Sequence, residues 1–100
     1  MDQPQIHADS VVSWSEDAIA TDVNDEVVLM NMQRNRCYGL GNTGSDIWRK
    51  LGSPIRVSEV IEQLTGLYDA AEGKIETDVL STLAELHSEG LVQIHGNGDR

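Results

Sequence analysis

The sequence predicts an α+β, winged-helix-like domain, in which a three-stranded antiparallel sheet is followed by three helices. Two observations support this fold class. Residues 18–40 form three short apolar or alternating segments separated by turn-forming residues, which is the pattern of a β-meander. Residues 43–89 carry apolar side chains at helical spacing in three stretches, which glycine and proline separate. One hundred residues are enough for a single domain with one modest core.

The first two strands are predicted from alternation and from the turn between them. Residues 18–23 alternate as a half-buried strand does, and the Asn-Asp pair at residues 24–25 tolerates the positive φ angles of a two-residue hairpin turn. Residues 26–32 are apolar on both faces, so we expect a central strand that is covered on both sides. Asn35 then stands where the next turn needs a left-handed residue.

The third predicted strand places Arg36, Tyr38 and Leu40 on one face and Cys37 and Gly39 on the other. A glycine within a strand marks either the close approach of another backbone or a bulge, and both interpretations stay open. A lone cysteine in a strand is typically a small core residue. Because this strand ends the meander, its outer edge has no partner within the predicted sheet.

The first two helices are predicted from capping signals and glycine stops. Thr43 and Asp46 have the spacing of a capping box, and Gly52 ends the helix that they begin. Trp48 falls on the apolar face of this helix, where packing in the core is the favoured interpretation. A second helix is expected to begin near Ser58 and to stop at Gly66.

The third helix is predicted from about residue 72 to residue 89, with Gly90 at the C′ position of a glycine stop. Its acidic side chains are first of all a solvated face. Residues 17–94 would form the domain, with a short strand possible near its end. Residues 1–16 would be an N-terminal arm or an extra strand, and residues 95–100 a flexible tail.

Composition excludes several classes of function. The chain carries 17 acidic against 7 basic residues, a formal charge of −10, which opposes nucleic acid as a partner. One cysteine permits neither an internal disulfide nor a Cys-based metal site, and a free thiol suits a reducing cytoplasm. No stretch resembles a signal peptide or a membrane span. We therefore expect a cytoplasmic protein that binds neither membranes nor nucleic acid.

The side chains needed for catalysis are not grouped in the sequence. His7, His87 and His95 are scattered, and neither H-x-x-x-H nor C-x-x-C spacing occurs. Residues 39–44 fit G-x-G-x-x-G, but a meander precedes them instead of the βαβ unit of a dinucleotide site. We expect no enzyme activity, no metal and no cofactor.

The serial order of these segments resembles the PqqD-like family, the recognition domains of ribosomally made, post-translationally modified peptide pathways. The resemblance is greatest to the stand-alone leader-binding version in lasso-peptide clusters, and it covers about residues 17–94. Three departures stand out, namely Asn35 for a turn glycine, Cys37 for a frequent tyrosine, and Gly41 inserted before Asn42. The segments that carry the resemblance are residues 27–31, 36–40, 43–51, 60–64, 68–69, 77–86 and 89–92.

The resemblance implies that the domain binds the leader segment of a precursor peptide as an added strand beside the third strand, in a groove against the third helix. It implies two partner enzymes, a cysteine-protease leader peptidase and an ATP-dependent macrolactam cyclase. Leu83 and Leu86 either line a pocket or belong wholly to the core. Asp78 and Glu85 would face basic leader residues, although exposed ion pairs add little affinity. Carried over by position, the leader-binding residues are Arg36, Cys37, Tyr38, Gly39, Leu40, Asp78, Thr82, Leu83, Glu85 and Leu86.

Two alternatives remain at the level of sequence. A PqqD-like domain could serve another modified-peptide pathway or the pathway of the quinone cofactor itself. A winged-helix DNA-binding regulator has the same helix order. The third helix argues against DNA binding, because Lys74 is its only basic residue besides His87.

Overall fold

The computed structural model describes residues 6–68 and 73–96. Its elements form two small antiparallel sheets and three helices. The prediction of an α+β fold with a three-stranded sheet and three helices is therefore confirmed. In chain order the elements are β1 (Val11–Trp14), β2 (Ala18–Val23), β3 (Glu26–Asn31), β4 (Arg36–Gly39), α1 (Asn42–Arg49), β5 (Ile55–Arg56), α2 (Val57–Leu67), α3 (Lys74–Ser88) and β6 (Val92–Gly96).

The predicted meander forms the sheet β2-β3-β4. Asn24 and Asp25 have φ angles of 55° and 71°, as a two-residue hairpin turn between β2 and β3 requires. Asn35 has a φ angle of 55° and turns the chain into β4, as its position in the sequence predicts. The register of β4 on β3 is regular, with Gly39 opposite Val28, so Gly39 marks no bulge.

The sheet is covered on one face only. In β3, Val27, Leu29 and Asn31 are buried, whereas the alternate residues Val28 and Met30 are half-buried. The prediction that this strand is covered on both sides is therefore wrong, because the helices pack against one side of the sheet. The expectation of a half-buried β2 is also wrong, since β2 is exposed beyond its first residue.

The second sheet has the order β5-β1-β6. Val11–Trp14 form its central strand, which decides between an arm and an extra strand for these residues. Strand β6 runs on to Gly96, so His95 lies in the sheet instead of in the tail to which the sequence assigned it. Pairing with β1 extends the strand, and the side chain of Ser13 contacts His95 at 2.6 Å between Oγ and Nε2. Residues 97–100 lie outside the described part of the chain.

Helix α1 begins without the predicted capping box. Its N-cap is Gly41, with no side-chain cap. The hydroxyl of the buried Ser45 accepts a hydrogen bond from the amide of Val27 at 2.8 Å and donates to the carbonyl of Leu40 at 3.2 Å. The polar side chain of this first turn thus ties the helix to the sheet.

The other helices differ from the prediction only near their ends. Helix α2 begins at Val57 and continues through Gly66, which the sequence placed at its stop. Helix α3 ends at Ser88, and Gly90 has a φ angle of 76°, as a C′ glycine requires. Residue 72, the predicted start of α3, lies outside the described residues.

One aliphatic core joins the three helices to both sheets. Trp48 is buried in it, as its place on the helix face predicts, and Trp14 stacks on Trp48 with 5.2 Å between ring centroids. The indole nitrogen of Trp14 also donates to the Trp48 carbonyl at 2.7 Å. The buried apolar residues are Val12, Val27, Leu29, Ile47, Trp48, Leu51, Val57, Val60, Leu64, Ile75, Val79, Leu83, Leu86, Leu91 and Val92.

Candidate functional site

Strand β4 is an open edge of its sheet, because among the described residues it pairs only with β3. Leu40 donates its amide to the carbonyl of Val27 at 2.9 Å, which continues the β3–β4 ladder by one residue. Residues along an antiparallel ladder alternate between facing the partner strand and facing away from it. Arg36 and Tyr38 therefore turn their backbone groups toward β3, whereas Cys37 and Gly39 turn theirs outward.

A groove of about 390 Å³ lies between this edge and the C-terminal end of α3. The strand side of the groove comes from four successive residues of the β4 segment, and the other side comes from the last turns of α3 and the residue after its glycine stop. Both apolar and acidic side chains face it. Its lining residues are Cys37, Tyr38, Gly39, Leu40, Glu85, Leu86, Glu89 and Leu91.

Glu89 joins the two sides of the groove. The Tyr38 hydroxyl donates a hydrogen bond to its carboxylate oxygen Oε1. The same oxygen lies 3.4 Å from Nη1 of Arg34 and 3.6 Å from Nη1 of Arg36. The Arg36 guanidinium also stands 5.5 Å from the centroid of the Tyr38 ring. One carboxylate thus gathers a phenol and two cations at one end of the groove.

These contacts shift the pKa values of Tyr38 and Glu89 in opposite directions. The hydrogen bond to Glu89 raises the pKa of Tyr38, because the carboxylate stabilises the protonated phenol. The same hydrogen bond lowers the pKa of Glu89, and the charges of Arg36 and Arg34 lower it further, while burial opposes them. Glu89 is therefore a carboxylate, and Tyr38 a neutral phenol, at neutral pH.

Asn31 holds the end of α3 against the sheet. Its buried side-chain amide donates to the carbonyls of Glu89 and Gly90, at 2.9 and 3.1 Å. Its Oδ1 accepts from the amides of Gln33 and Arg34, at 2.7 and 3.1 Å, in the turn that leads into β4. The Asn31 side chain therefore fixes the turn before β4 and the end of α3 relative to each other. These two segments border the groove.

The structure brings six of the ten leader-binding positions implied by the resemblance into the groove. They are Cys37, Tyr38, Gly39, Leu40, Glu85 and Leu86. Arg36 stands beside the groove through its contacts with Glu89 and the Tyr38 ring. Cys37 is exposed, so the interpretation of this residue as a small core residue is wrong. Its position in β4 explains this, because it alternates with the inward-facing Tyr38.

The structure places the remaining three positions elsewhere on α3. Asp78 pairs with Lys74 one turn earlier, at 3.1 Å between Oδ2 and Nζ. Leu83 is completely buried in the core, and Thr82 is half-buried outside the groove lining. The groove follows the last turns of α3, whereas these residues lie farther toward its start.

Sequence reasoning missed two residues of the lining, Glu89 and Leu91. Both flank Gly90, the glycine that ends the helix. A signal existed in the sequence, because a glycine stop fixes where a helix ends and hence which residues surround its last carbonyls. The pairing of this helix end with Asn31 has no equivalent sequence signal.

The described residues form neither a candidate metal site nor a candidate membrane span. No group of three or more His, Cys, Asp or Glu side chains among them is placed to hold a metal ion. None of the described helices has the length and apolar character that crossing a bilayer requires. What the groove offers is an unpaired backbone edge, apolar surface and a few charges.

Comparison with known proteins gives one family and a set of solved structures. Residues 26–92 match the family described as coenzyme PQQ synthesis protein D (PqqD). The structure described as "TbiB1 in Complex with the TbiA(beta) Leader Peptide" is 28% identical, with a TM-score of 0.74 over 87% of this chain and 99% of that one. The structure described as "Lasso peptide synthetase B1 complexed with the leader peptide" is 16% identical, with a TM-score of 0.67 over 82% and 96%, and shares the fold. No curated protein matches the sequence.

Proposed function

The chain belongs to the PqqD family, and on this premise we propose that it is a non-catalytic recognition domain for the leader segment of a ribosomally made precursor peptide. The leader adds as a strand to β4 and lies in the groove against α3. The observation that carries this proposal is the open edge of β4 immediately beside the groove. An edge that faces a groove is what strand addition requires, since the backbone supplies affinity and the groove selects side chains.

The outward backbone groups of Cys37 and Gly39 supply the main-chain contacts. Each residue offers one amide donor and one carbonyl acceptor, and no described residue supplies a partner for them. A Cβ atom on Gly39 would meet nothing within 4 Å, so a peptide can approach this position closely. An edge left open in this way would favour aggregation unless a partner strand covers it.

The groove supplies selectivity for side chains. Alternate residues of an added strand point to the same side, so every second leader residue enters the space between β4 and α3. Leu40, Leu86 and Leu91 give this space apolar walls, and Tyr38 adds an aromatic ring. The Tyr-x-x-Pro element that the resemblance implies for lasso leaders carries two side chains that suit such walls.

The charges around the groove favour a leader with basic residues near one end. Glu85 faces the groove and is exposed, and it forms no ion pair with another residue of the described chain. Asp78, by contrast, is already paired with Lys74 and lies outside the lining. We therefore propose Glu85, and not Asp78, as the acidic contact of the leader, with the modest energy of an exposed pair.

A lasso pathway is the context that the sequence resemblance implies, and a structural neighbour supports leader binding within it. The neighbour at 28% identity is described as bound to a leader peptide, and it covers 87% of this chain. In that context the domain presents the leader to a cysteine-protease leader peptidase and to an ATP-dependent macrolactam cyclase, in the cytoplasm. It takes no cofactor for this role, because it contributes binding and not chemistry.

A different modified-peptide pathway, including that of the quinone cofactor, is the second candidate, since the family description itself names PQQ synthesis. Titration separates the two. The protein is titrated by fluorescence anisotropy with labelled leaders from the precursor encoded beside its gene and from a PQQ precursor. Saturable micromolar binding of the first alone supports the lasso role. Saturable binding of the PQQ precursor alone would support a role in the quinone pathway instead. Binding of neither peptide would contradict leader recognition.

A further inference from the structure

Two arginines stand at the end of the groove where β4 begins, and they share one carboxylate. Nη1 of Arg34 lies 3.4 Å, and Nη1 of Arg36 lies 3.6 Å, from the same oxygen of Glu89. That oxygen also accepts the hydrogen bond of the Tyr38 hydroxyl. Neither guanidinium forms an ion pair with a second carboxylate of the described chain. This end of the groove therefore keeps a net positive charge in a protein whose formal charge is −10.

The two arginines differ in how far their hydrogen-bond donors are already used. Nη1 of Arg34 also donates to the carbonyl of Ser88 at 3.0 Å, so this side chain holds the last turn of α3. Arg36 is too far from Glu89 for a hydrogen bond and keeps 62% of its side chain exposed. In the described chain its guanidinium forms only this long ion pair and the contact with the Tyr38 ring. Arg36 therefore retains N–H donors for a ligand, whereas Arg34 has a structural role.

Tyr38 and Glu89 hold the Arg36 guanidinium beside the groove. The guanidinium stands 5.5 Å from the centroid of the Tyr38 ring, within the range of a cation–π interaction. Strand residues two apart point to the same face, so Arg36 shares with Tyr38 the face of β4 that borders the groove. A side chain that is already oriented loses less conformational freedom when a ligand binds. A strand added to β4 would thus meet an oriented cation with unused donors.

We propose that Arg36 binds an acidic side chain of the leader and is a specificity-determining residue of the groove. This inference rests on the proposed function, because it takes the strand on β4 to be the leader. Side chains that lie opposite each other on neighbouring strands interact, and opposite charges favour the pairing. A carboxylate also matches the planar fork of a guanidinium and can accept two hydrogen bonds from it. The leader residue beside Arg36 on the side of α3 is accordingly Asp or Glu.

The charges of the groove then set the order of charged residues in the leader. Glu85, the acidic contact for a basic leader residue, lies on α3 one turn before Glu89, the partner of Arg36. The cationic and the anionic contact thus stand at different positions along the groove. A leader with the two charges exchanged would bring like charges together at both positions, which opposes its binding. Charge order therefore discriminates between leaders of similar apolar content.

The test is a double-mutant cycle between Arg36 and the leader. The probe is the leader encoded beside the gene, synthesised with an amidated C terminus so that side chains supply its only carboxylates. Each acidic residue of the leader is replaced in turn by the corresponding amide. Fluorescence anisotropy measures the affinity of every peptide for the wild type, Arg36→Gln and Arg36→Lys at low and at high salt. Arg56→Gln is the control, because it removes the same charge at an exposed position of β5, in the other sheet.

We expect Arg36→Gln to bind the leader about fivefold more weakly at low salt, as the loss of one exposed ion pair predicts. The difference should shrink at high salt, because salt screens the two charges. Arg36→Lys should recover part of the affinity, and Arg56→Gln should bind like the wild type. One amide-substituted leader should show the same loss with the wild type and no further loss with Arg36→Gln.

Additive losses would overturn the inference, because they would mean that Arg36 only positions Tyr38 and Glu89. Wild-type affinity in a folded Arg36→Gln variant, checked by circular dichroism, would also overturn it. So would equal affinity of the wild-type protein for the leader and for all its amide-substituted forms, a result that depends on no variant. Absence of binding between the wild type and the unmodified leader would instead contradict the proposed function, and the first titration reports it separately.

Discussion

The carboxylate of Glu89 accepts a hydrogen bond from the hydroxyl of Tyr38 and thereby joins the end of α3 to the open edge strand β4. Tyr38 turns its backbone toward β3 and its side chain toward the helix, so it is fixed by both. Arg34 and Arg36 surround the same carboxylate from the strand side. The groove between strand and helix is therefore bordered at this end by a charged cluster rather than by open solvent.

This contact predicts a change in the titration of Tyr38. Glu89→Gln removes the negative charge while keeping an acceptor, so the raised pKa of Tyr38 should fall toward the ordinary tyrosine value. Spectrophotometric titration of tyrosinate measures this. Tyr68 also has a raised pKa, through its hydrogen bond to Asp46, and serves as the internal control that should not move. An unchanged titration of both tyrosines would contradict the contact.

The same contact predicts a dependence of stability on pH. The folded state lowers the pKa of Glu89, so its contribution is present above the unfolded-state pKa and is lost as pH falls through the folded-state pKa. The raised pKa of Tyr38 acts at the alkaline end, where its contribution is lost as pH rises through the folded-state pKa. Urea unfolding at several acidic pH values should show a shallower decline for Glu89→Gln than for the wild type. If the stabilities of the two proteins decline in parallel, Glu89 does not form these contacts in the folded state.

Removal of the Asn31 side chain should destabilise the protein. Asn31→Ala leaves the carbonyls of Glu89 and Gly90 and the amides of the β3–β4 turn without the partner that the buried Asn31 side chain supplies, which costs about 1–3 kcal/mol in the free energy of unfolding. Asn42→Ala, at the exposed start of α1, is the control and should change stability little. Equal midpoints of urea unfolding for Asn31→Ala and the wild type would show that Asn31 does not hold the groove together.

Two glycine-to-alanine substitutions should change the stability of the protein in opposite directions. Gly90→Ala forces a side chain onto a φ angle of 76° and places its Cβ 2.7 Å from Nδ2 of Asn31, so it should destabilise by about 1 kcal/mol or more. Gly66→Ala lies within α2 with nothing within 4 Å of the new Cβ, and should stabilise by about 0.5–1 kcal/mol. Thermal unfolding of both variants measures the difference. A stabilising Gly90→Ala would contradict a glycine stop with positive φ at the end of α3.

Alanine substitutions at Leu83 and Leu86 should differ in their effect on leader affinity. Leu83 is wholly enclosed by the core, so Leu83→Ala should cost about 2–5 kcal/mol in stability without a specific effect on leader affinity in the folded fraction. Leu86 lines the groove as well as the core, so Leu86→Ala should lower both stability and leader affinity. Urea unfolding together with leader titration distinguishes the two. A leader affinity that depends on Leu83 alone would place the pocket deeper than the groove.

The sequence predicts the meander and the strand side of the groove well, because local signals determine them. Asn24, Asp25 and Asn35 tolerate positive φ and so mark both turns, and alternation then assigns the faces of β4. Gly90 marks the end of α3 in the same local way.

The helix side of the groove and the second sheet depend on tertiary contacts that no local pattern contains. The Ser45 hydroxyl bonds to the amide of Val27 in β3, and Val11–Trp14 pair with residues that are distant in the chain. Periodicity alone cannot tell that the last turns of α3, around Glu85 and Glu89, face β4 while its earlier turns do not. The core position of Leu83 follows from the packing of three helices on one sheet face.

The measurement that tests strand addition most directly is leader titration of Gly39→Pro against Gly39→Ala. Proline at this edge position removes the outward amide donor and leaves the β3–β4 ladder intact, whereas alanine keeps the donor and finds open space for its Cβ. We predict that both variants fold, that Gly39→Ala retains leader binding, and that Gly39→Pro loses it. Wild-type leader affinity in a folded Gly39→Pro variant would contradict the proposal that the leader binds as a strand on β4.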